Sequence, residues 1–530
     1  MSEPVPECGD LLNQIGRVGS VMNEICIVEG LKFVALNNLV EFSSGDKGMV
    51  LGFTPSEVQV IIFGDYHNIK KGDLVKVIDD YLCVETGDEL LGRIIDPLGN
   101  ALDGRTKPDC GTSRYIDSPA KSIGERNTIT KPLCTGYLII DSQVPIGLGQ
   151  RELFIGEKKV HKADVAMGII TNQANTDSGV ISIYVAIDVE SSTVKRKIEQ
   201  LKEVDALKNN VIIVGRSSDP ASVNYIAPMT AVTIAEFFAN KGRDVLVIFD
   251  NLTSHAKVYR QISLLLNRAP GREAYPGDIF YLHARLLERC GAFSEISGNG
   301  SITAIPIVET QGTEDITDYL STNLMSITDG HVLFRLSLSN KGIQPAVDSG
   351  FSVSRIGGRA QHPIMRELSD ELKNIIIKFH EVEKYLIFDS EMKKETLDII
   401  ELGKRAYQFF YQTTNELFST VEEIILQYFI VNNYVLEWEV ENILEVRNQL
   451  IEFIRKPKNT DSLKEIMERK TVEEAREYIE LLIEEFIDLP NTSRRIKKKK
   501  QSKAEKETII DILKDREDSD VVNRDIKARH

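Results

Sequence analysis

The pattern of apolar and polar positions divides the chain into three regions. From residue 15 to about 93, short β-rich runs are separated by turn pairs such as Gly-Asp, Ser-Gly and Lys-Gly. The predicted strands are 24–28, 33–36, 39–42, 58–63 and 73–77. Short strands at this spacing are typical of a small β-barrel. We therefore predict a barrel domain over 15–93, preceded by an N-terminal arm of residues 1–14.

From about 94 to 365, longer apolar runs alternate with helical stretches. The apolar runs are 153–155, 181–187, 211–214 and 244–250. Strands that are apolar on both faces are typical of a parallel sheet covered by helices. This pattern predicts an α/β domain over 94–365. Ligands of such sheets bind at the carboxyl ends of the strands, and both Gly156 and Asp250 fall at such ends.

Beyond about residue 366 the period becomes helical. The predicted helices are 367–388, 391–414, 420–440 and 443–455. Thr471 and Glu474 have the spacing of a capping box, which predicts a further helix to about residue 489. We predict a helical domain over 366–490 and a charged tail over 491–530. The basic run 494–500 favours a solvated tail, or a docking segment for an unknown partner, over a nucleic-acid patch.

Composition excludes several functional classes. The net charge of −16 argues against general binding to nucleic acid or to anionic membranes. No uncharged apolar run reaches the roughly 18 residues of a membrane span, so membrane contact is expected only through partners. The six cysteines are scattered without metal-ligand spacing, which favours reduced thiols and a cytoplasmic location.

Residues 156–163 resemble a phosphate-binding loop that lacks two required residues. Such a loop has the form G-x-x-x-x-G-K-[ST], in which the hydroxyl binds Mg²⁺. Gly156 and Lys162 keep the spacing, whereas His161 replaces the second glycine and Ala163 replaces the hydroxyl. The neighbouring lysines, Lys158 and Lys159, form a cationic patch with Lys162. The patch is either a residual anion site or a solvated face.

Three acids are candidates for chemistry in the same domain. Asp250 ends an aliphatic run, which is the usual setting of the acid that holds Mg²⁺ through water. Asp188 and Glu190 follow the run 181–187 and are candidates for orienting an attacking water. The sequence alone does not show that either one faces a phosphate.

Arg355 lies in a frame of small residues, 350–358. An arginine in this setting is either a finger that stabilises transition-state charge, in its own or a neighbouring subunit, or an ordinary surface residue.

Several segments together resemble the α subunit of F-type rotary ATPases. They include Pro145-Ile-Gly-Leu-Gly-Gln-Arg-Glu152 and Pro270-Gly-Arg-Glu-Ala-Tyr-Pro-Gly-Asp278, with 40–48, 92–100, 259–266, 281–289, 326–330 and 352–355. The resemblance runs from about 15 to 415. It implies an N-terminal β-barrel, a central RecA-like nucleotide-binding domain and a C-terminal helical domain. It also implies a three-plus-three ring that alternates this chain with a catalytic β-type subunit around a γ-type central stalk.

The resemblance assigns roles residue by residue. Arg355 matches the arginine finger that reaches the catalytic site of the adjacent β-type subunit, where ATP or ADP binds with Mg²⁺. Gly156, Lys162 and Asp250 match the α subunit's own, non-catalytic nucleotide site.

The departures from the family cluster in that non-catalytic site. Beside His161 and Ala163, Val189 stands where the α family has a glutamine and the catalytic subunits have a glutamate. Near the base pocket, Gln344 replaces an arginine before Pro345, and Thr414 replaces a glutamine. We therefore expect that the chain alone is not a hydrolase, and that its own site is empty or binds nucleotide weakly without ordered Mg²⁺.

Alternatives remain at this stage. The complex could be a specialised F-type-like motor that drives motility or surface-protein processing instead of proton-coupled ATP synthesis. The chain could also be a self-sufficient ATPase or an RNA translocase, although the acidic total counts against the latter. The 14 residues before Ile15 are fewer than the family's usual N-terminal arm, which docks the peripheral stalk.

Overall fold

The computed structural model describes residues 15–79, 81–176, 178–310, 312, 316–383 and 394–489. The chain forms two compact units. The first extends to Gln361 and includes Gln412–Ser419, and the second comprises His362–Tyr411 and the chain from Thr420, as far as these ranges are described. The predicted N-terminal arm and the predicted tail from 491 lie outside the described residues.

The first six strands close into a barrel. They are β1 Ile15–Met22, β2 Ile25–Glu29, β3 Leu39–Phe42, β4 Lys47–Phe53, β5 Glu57–Ile62 and β6 Leu74–Asp79, in the order β1-β2-β5-β4-β3-β6. Alternate residues point inward, and Val28, Val40 and Val60 are fully buried in the barrel interior. The predicted barrel is confirmed. The predicted strand 33–36 is wrong, since this segment is an irregular connection.

The central part of the first unit is built on a nine-stranded sheet. Its strands and those of two small ribbons are β7 Cys83–Thr86, β8 Ile94–Ile95, β9 Thr112–Tyr115, β10 Pro132–Leu133, β11 Ile146–Gly147, β12 Glu152–Gly156, β13 Ile181–Val189, β14 Asn210–Arg216, β15 Asp244–Asp250, β16 Gly291–Ala292, β17 Ser301–Glu309, β18 Gly330–Phe334 and β19 Val353–Ser354. The order is β19-β18-β12-β17-β15-β13-β14-β8, with β16 beside β17. All neighbours from β18 to β8 are parallel, as the sequence predicted.

Helices accompany this sheet. They are α1 Leu138–Gln143, α2 Lys162–Asn175, α3 Ser191–Glu203, α4 Ala221–Asn240, α5 Leu252–Leu265, α6 Ile279–Glu288, α7 Tyr319–Ile327 and α8 Leu336–Asn340. The first seven residues of β13 are all buried, because helix α4 packs on this strand and on its neighbours β14 and β15. This packing explains why the strand is a continuous apolar run.

The second unit is helical as far as the structure describes it. Its helices are α9 Pro363–Glu383, α10 Lys394–Phe410, α11 Thr420–Val431, α12 Ile443–Ile454, α13 Thr460–Glu468 and α14 Val472–Ile487. The side chain of Thr471 accepts a hydrogen bond from the backbone N–H of Glu474 at 3.3 Å, so it caps α14 as predicted. Among the described residues, we find no helix with the length and apolarity needed to cross a membrane.

The segment Gln412–Ser419 belongs to the first unit although both of its chain neighbours belong to the second. The side chain of Gln412 accepts a hydrogen bond from the N–H of Leu138 and donates one to the carbonyl of Gly136, both at 2.7 Å. Its backbone N–H donates to the carbonyl of Gln344 at 2.7 Å. These bonds tie the segment to the start of α1 and to the turn after α8.

Candidate functional site

The loop 156–163 keeps the path of a phosphate-binding loop. Strand β12 ends at Gly156, where a Cβ atom would lie 2.4 Å from the carbonyl oxygen of Phe334, so only glycine fits. A 3-10 turn follows over Lys158–Val160, and α2 begins at Lys162. Between them His161 has φ 58° and ψ 28°, the left-handed conformation that glycine adopts most easily. The backbone is therefore retained even though the second glycine is lost.

Two side chains of the loop, those of Lys162 and His161, are bonded to the loop itself or to the first turn of α2. Lys162 is buried, and its Nζ donates to the carbonyl oxygens of Gly156 at 2.8 Å and Glu157 at 2.5 Å. Burial lowers the pKa of Lys162 to about 8, against the opposing effect of Glu309. The mostly exposed ring of His161 bonds the carboxylate of Asp164 at 2.9 Å. A phosphate entering this loop would have to displace the bonds of Lys162.

Asp250 is paired with a lysine of the same chain. The Nζ of Lys197, on α3, donates to the Asp250 carboxylate at 2.5 Å and to the hydroxyl oxygen of Tyr184 at 2.7 Å. The Tyr184 hydroxyl in turn donates to Asp250. The side chains of Lys197 and Asp250 are only 5% and 10% exposed. Burial, together with the Asp250 charge, raises the pKa of Tyr184 well above its usual value.

Sequence reasoning missed Lys197, but the sequence contains a signal for it. The buried side chains of α3 are Val194, Lys197 and Leu201, which follow the i, i+3, i+7 spacing of the apolar stripe of a helix. A lysine on that stripe must either reach solvent or find a buried partner. Here the partner is Asp250.

An open cleft of about 560 Å³ lies at the carboxyl ends of the central strands. Its charged lining comprises the bases Lys158, Lys162, Arg196, Lys197 and Lys257, and the acids Asp164, Asp188, Glu190, Asp250 and Glu309. His161, Ala163 and Val189 also line it. The structure thus brings together most of the loop residues predicted from the sequence and the acid Asp250.

Other predicted residues do not line the cleft. Gly156 and Lys159 are not part of its described lining, nor are Gln344 and Pro345. These last two lie in the turn after α8, and α8 packs against the 3-10 turn of the loop. Thr414 lines a separate cavity of about 30 Å³ beside α2. A pocket in which these positions together bind the base of a nucleotide stays a prediction.

The candidate acids for water activation flank Val189. Asp188 and Glu190 both line the cleft. Burial raises the pKa of Asp188, with a hydrogen bond from Ser217 acting in the opposite direction. The position between them carries an aliphatic side chain, which offers no group to orient water. Neither neighbour is shown to face a bound phosphate.

The residues of the cleft do not fit Mg²⁺. Ala163 has no hydroxyl to serve as a ligand, and the Asp250 carboxylate is engaged by Lys197 and Tyr184. Among the described residues no group of three or more His, Cys, Asp or Glu side chains could hold a metal ion. Mg²⁺ at a phosphate site takes only one or two oxygens from the protein, and the rest from phosphate and water; here one of the two expected protein oxygens is missing and the other is engaged.

Arg355 and the loop lie at opposite ends of the strands of the sheet. Strands β12 and β18 are parallel, with Glu152 beside Gly330 at their amino ends and Gly156 beside Phe334 at their carboxyl ends. Strand β19 pairs antiparallel to β18 and places Ser354 beside Gly330. Arg355 follows directly, and it is exposed. Because β12 has five residues, the two ends of the strand are roughly 13 Å apart.

The backbone holds Arg355 at this end of the strands. Its N–H donates to the carbonyl of Asp329 at 3.2 Å, and its guanidinium donates to the carbonyl of Thr328 at 3.4 Å. The described lining of the cleft does not include Arg355.

Comparison with known proteins gives matches along most of the chain. The β-barrel domain of the ATP synthase alpha/beta family matches residues 12–77, its nucleotide-binding domain matches 136–354, and the C-terminal domain of the alpha/beta chain matches 361–486. Proteins described as ATP synthase subunit alpha from Rickettsia bellii and Rickettsia canadensis are each 38% identical over 487 residues, which covers 91% of this chain and 95% of theirs. With these matches and this fold, the chain belongs to the ATP synthase α/β family, among the α subunits.

Proposed function

We propose that this chain is the non-catalytic α-type subunit of an F-type-like rotary ATPase and supplies Arg355 to the catalytic site of a neighbouring β-type subunit. That site binds ATP or ADP with Mg²⁺. The ring alternates three copies of each chain around a γ-type stalk and reaches the inner face of the cell membrane only through the complex. The similarity to proteins described as ATP synthase subunit alpha supports this assembly.

One observation carries the proposal: Arg355 and the chain's own loop lie at opposite ends of strands β12 and β18. A finger must touch the transferred phosphoryl group, and a separation of roughly 13 Å along the strands exceeds that reach. Arg355 therefore cannot serve the chain's own cleft. An exposed guanidinium at the edge of the sheet suits a site that a second chain brings to it.

The chain's own cleft does not hydrolyse ATP. Hydrolysis needs a positioned carboxylate and a metal site. Val189 provides no carboxylate, and Asp250 is held by Lys197. An arginine finger at Arg355 is compatible with proton-coupled ATP synthesis. It is equally compatible with a motor that drives motility or surface-protein processing.

The test is the ATPase rate of the ring assembled with its catalytic partner. Arg355→Ala should lower the rate by about 10³-fold or more, since loss of an arginine finger has that effect. Arg359→Ala is the matched control, because Arg359 is another exposed arginine of the same segment, and it should keep the rate. The chain without its partner should show no turnover.

Two results would contradict the proposal. One is an Arg355→Ala ring with nearly normal turnover. The other is a loss of ATPase rate in Lys162→Ala as severe as the loss in Arg355→Ala, because ATP would then be hydrolysed in the chain's own cleft.

A further inference from the structure

The geometry points to Lys197 as a built-in replacement for the divalent cation in this chain's own cleft, which accordingly takes a nucleoside di- or triphosphate in its metal-free form. This inference deepens the proposed function, because it rests on the cleft being a residual nucleotide site. It does not involve Arg355.

The ammonium group of Lys197 lies beside the acid that would hold a metal ion. The Nζ of Lys197 lies 2.5 Å from the Asp250 carboxylate and 2.7 Å from the hydroxyl oxygen of Tyr184. Asp250 is the acid at the end of β15, the place from which such an acid holds the metal in a phosphate-binding fold. The acid therefore already has a cationic partner, and that partner is part of the chain.

A metal ion could not simply be added beside Lys197. An ion that approaches Asp250 meets the positive charge of Lys197. If it displaced the lysine, it would leave the ammonium group of a side chain that is only 5% exposed without its carboxylate. A buried charge without its partner is strongly unfavourable. The loss of the hydroxyl at Ala163 removes the ligand that would help to offset this cost.

The ligand that suits the cleft is a phosphate chain without a metal ion. Lys158, Lys162 and Lys257 line the same cleft as Lys197, and α2 begins at its edge, where backbone N–H groups favour anions. These lysines would meet the charge of a phosphate chain without a metal ion, in a lining that also holds five acids, of which Asp250 is already paired with Lys197. An ammonium imposes no fixed coordination number, whereas Mg²⁺ does. Binding should then gain nothing from Mg²⁺.

The experiment measures binding of a fluorescent ADP analogue to the purified full chain, in EDTA and in MgCl₂. For the wild type MgCl₂ should leave the apparent dissociation constant unchanged or raise it, because Mg²⁺ in solution binds ADP and removes the metal-free form that the site takes. In Lys197→Met, which frees Asp250, Mg²⁺ should tighten binding by about tenfold or more. Lys195→Met is the matched control, because Lys195 is on the same helix, is exposed and pairs only loosely with Glu199 at 3.9 Å. It should behave as the wild type.

Three outcomes overturn the inference. They are a wild-type affinity that Mg²⁺ raises tenfold or more, a Lys197→Met chain that shows no response to Mg²⁺, and an absence of binding in every condition. If Lys197→Met folds poorly, it is prepared with MgCl₂ present, and rescue by the metal supports the inference. If Lys197→Met does not fold even with MgCl₂ present, while the double variant Lys197→Met/Asp250→Asn does fold, the result counts against the inference.

Nucleotide binding to the isolated chain tests this inference, whereas the ATPase rate of the ring tests the proposed function. Arg355→Ala should abolish the ATPase activity of the ring and leave ADP binding to the isolated chain unchanged. The wild-type titration decides the metal dependence whichever result the ring gives.

Discussion

Arg151 holds Asp329 in a two-point ion pair at the amino end of the central sheet. Its Nε and Nη2 lie 2.9 and 2.7 Å from the two carboxylate oxygens. The backbone N–H of Arg151 donates to the same carboxylate at 3.0 Å, and the carbonyl of Asp329 accepts the N–H of Arg355. The pair therefore fixes the turn from which Arg355 extends.

Asp329→Ala should lower the kcat of the assembled ring by roughly ten- to hundredfold with little change in KM. Small displacements of a group that acts on the transition state have effects of that size. Asp329 acts as a positioning residue here, so Asp329→Asn, which keeps one acceptor for Arg151, should restore part of the rate. A variant with reduced stability but full kcat would show a structural role only.

Gly156→Ala should lower the free energy of unfolding by about 1–3 kcal/mol, the usual effect of overpacking. The added methyl group would lie 2.4 Å from the carbonyl oxygen of Phe334, an atom of the neighbouring strand that cannot move independently. Denaturant titration measures the change. Gly124→Ala is the control, because a Cβ at Gly124 meets no atom within 4 Å. Equal stability of both variants would refute the predicted clash.

A buried histidine pair should make stability fall as the pH falls below about 6.5. His255 bonds the carbonyl of Tyr225 at 2.9 Å and the ring of His283 at 3.1 Å. Burial lowers the pKa of His255 to about 4 and that of His283 well below its usual value. Between about pH 6.5 and 4 the unfolded chain thus binds more protons than the folded chain, so stability decreases with falling pH.

The slope should be up to about 1.4 kcal/mol per pH unit for each histidine. Thermal unfolding of the wild type and of His283→Leu, measured from about pH 7 to 5, checks this. The variant should show the shallower dependence. His67→Asn serves as the control, because His67 is exposed and its removal should not change the slope. A slope that is the same in all three chains would contradict the prediction.

Apolar runs that report burial on both faces predicted four strands of the central sheet, β12, β13, β14 and β15, whereas β17 and β18 were not predicted. The apolar run 181–187 corresponds to seven buried residues of β13, and the spacing of Thr471 and Glu474 predicted the cap of α14. The prediction of a strand at 33–36 was wrong because the segment has apolar side chains but is not buried. Phe33 and Leu36 have strand-forming or apolar side chains, but they are 45% and 52% exposed, and the segment is an irregular connection.

The candidate site was predictable only as far as its residues form a motif. The loop 156–163 has a fixed spacing, so its members could be named from the sequence. Lys197 lies 53 residues from Asp250 along the chain, and only the packing of α3 against the sheet brings the two together. Its place on the apolar stripe indicated burial, but no spacing rule gives the partner of a buried lysine.

The return of Gln412–Ser419 to the first unit means that no single cut in the sequence separates the two units. A fragment that ends at Gln361 lacks the side chain that completes the hydrogen bonds of Gly136 and Leu138. A fragment that begins at His362 carries an eight-residue insert that belongs elsewhere. Studies of either unit in isolation therefore need a redesigned chain, with 412–419 joined to the first unit by a linker and replaced in the second by a short turn.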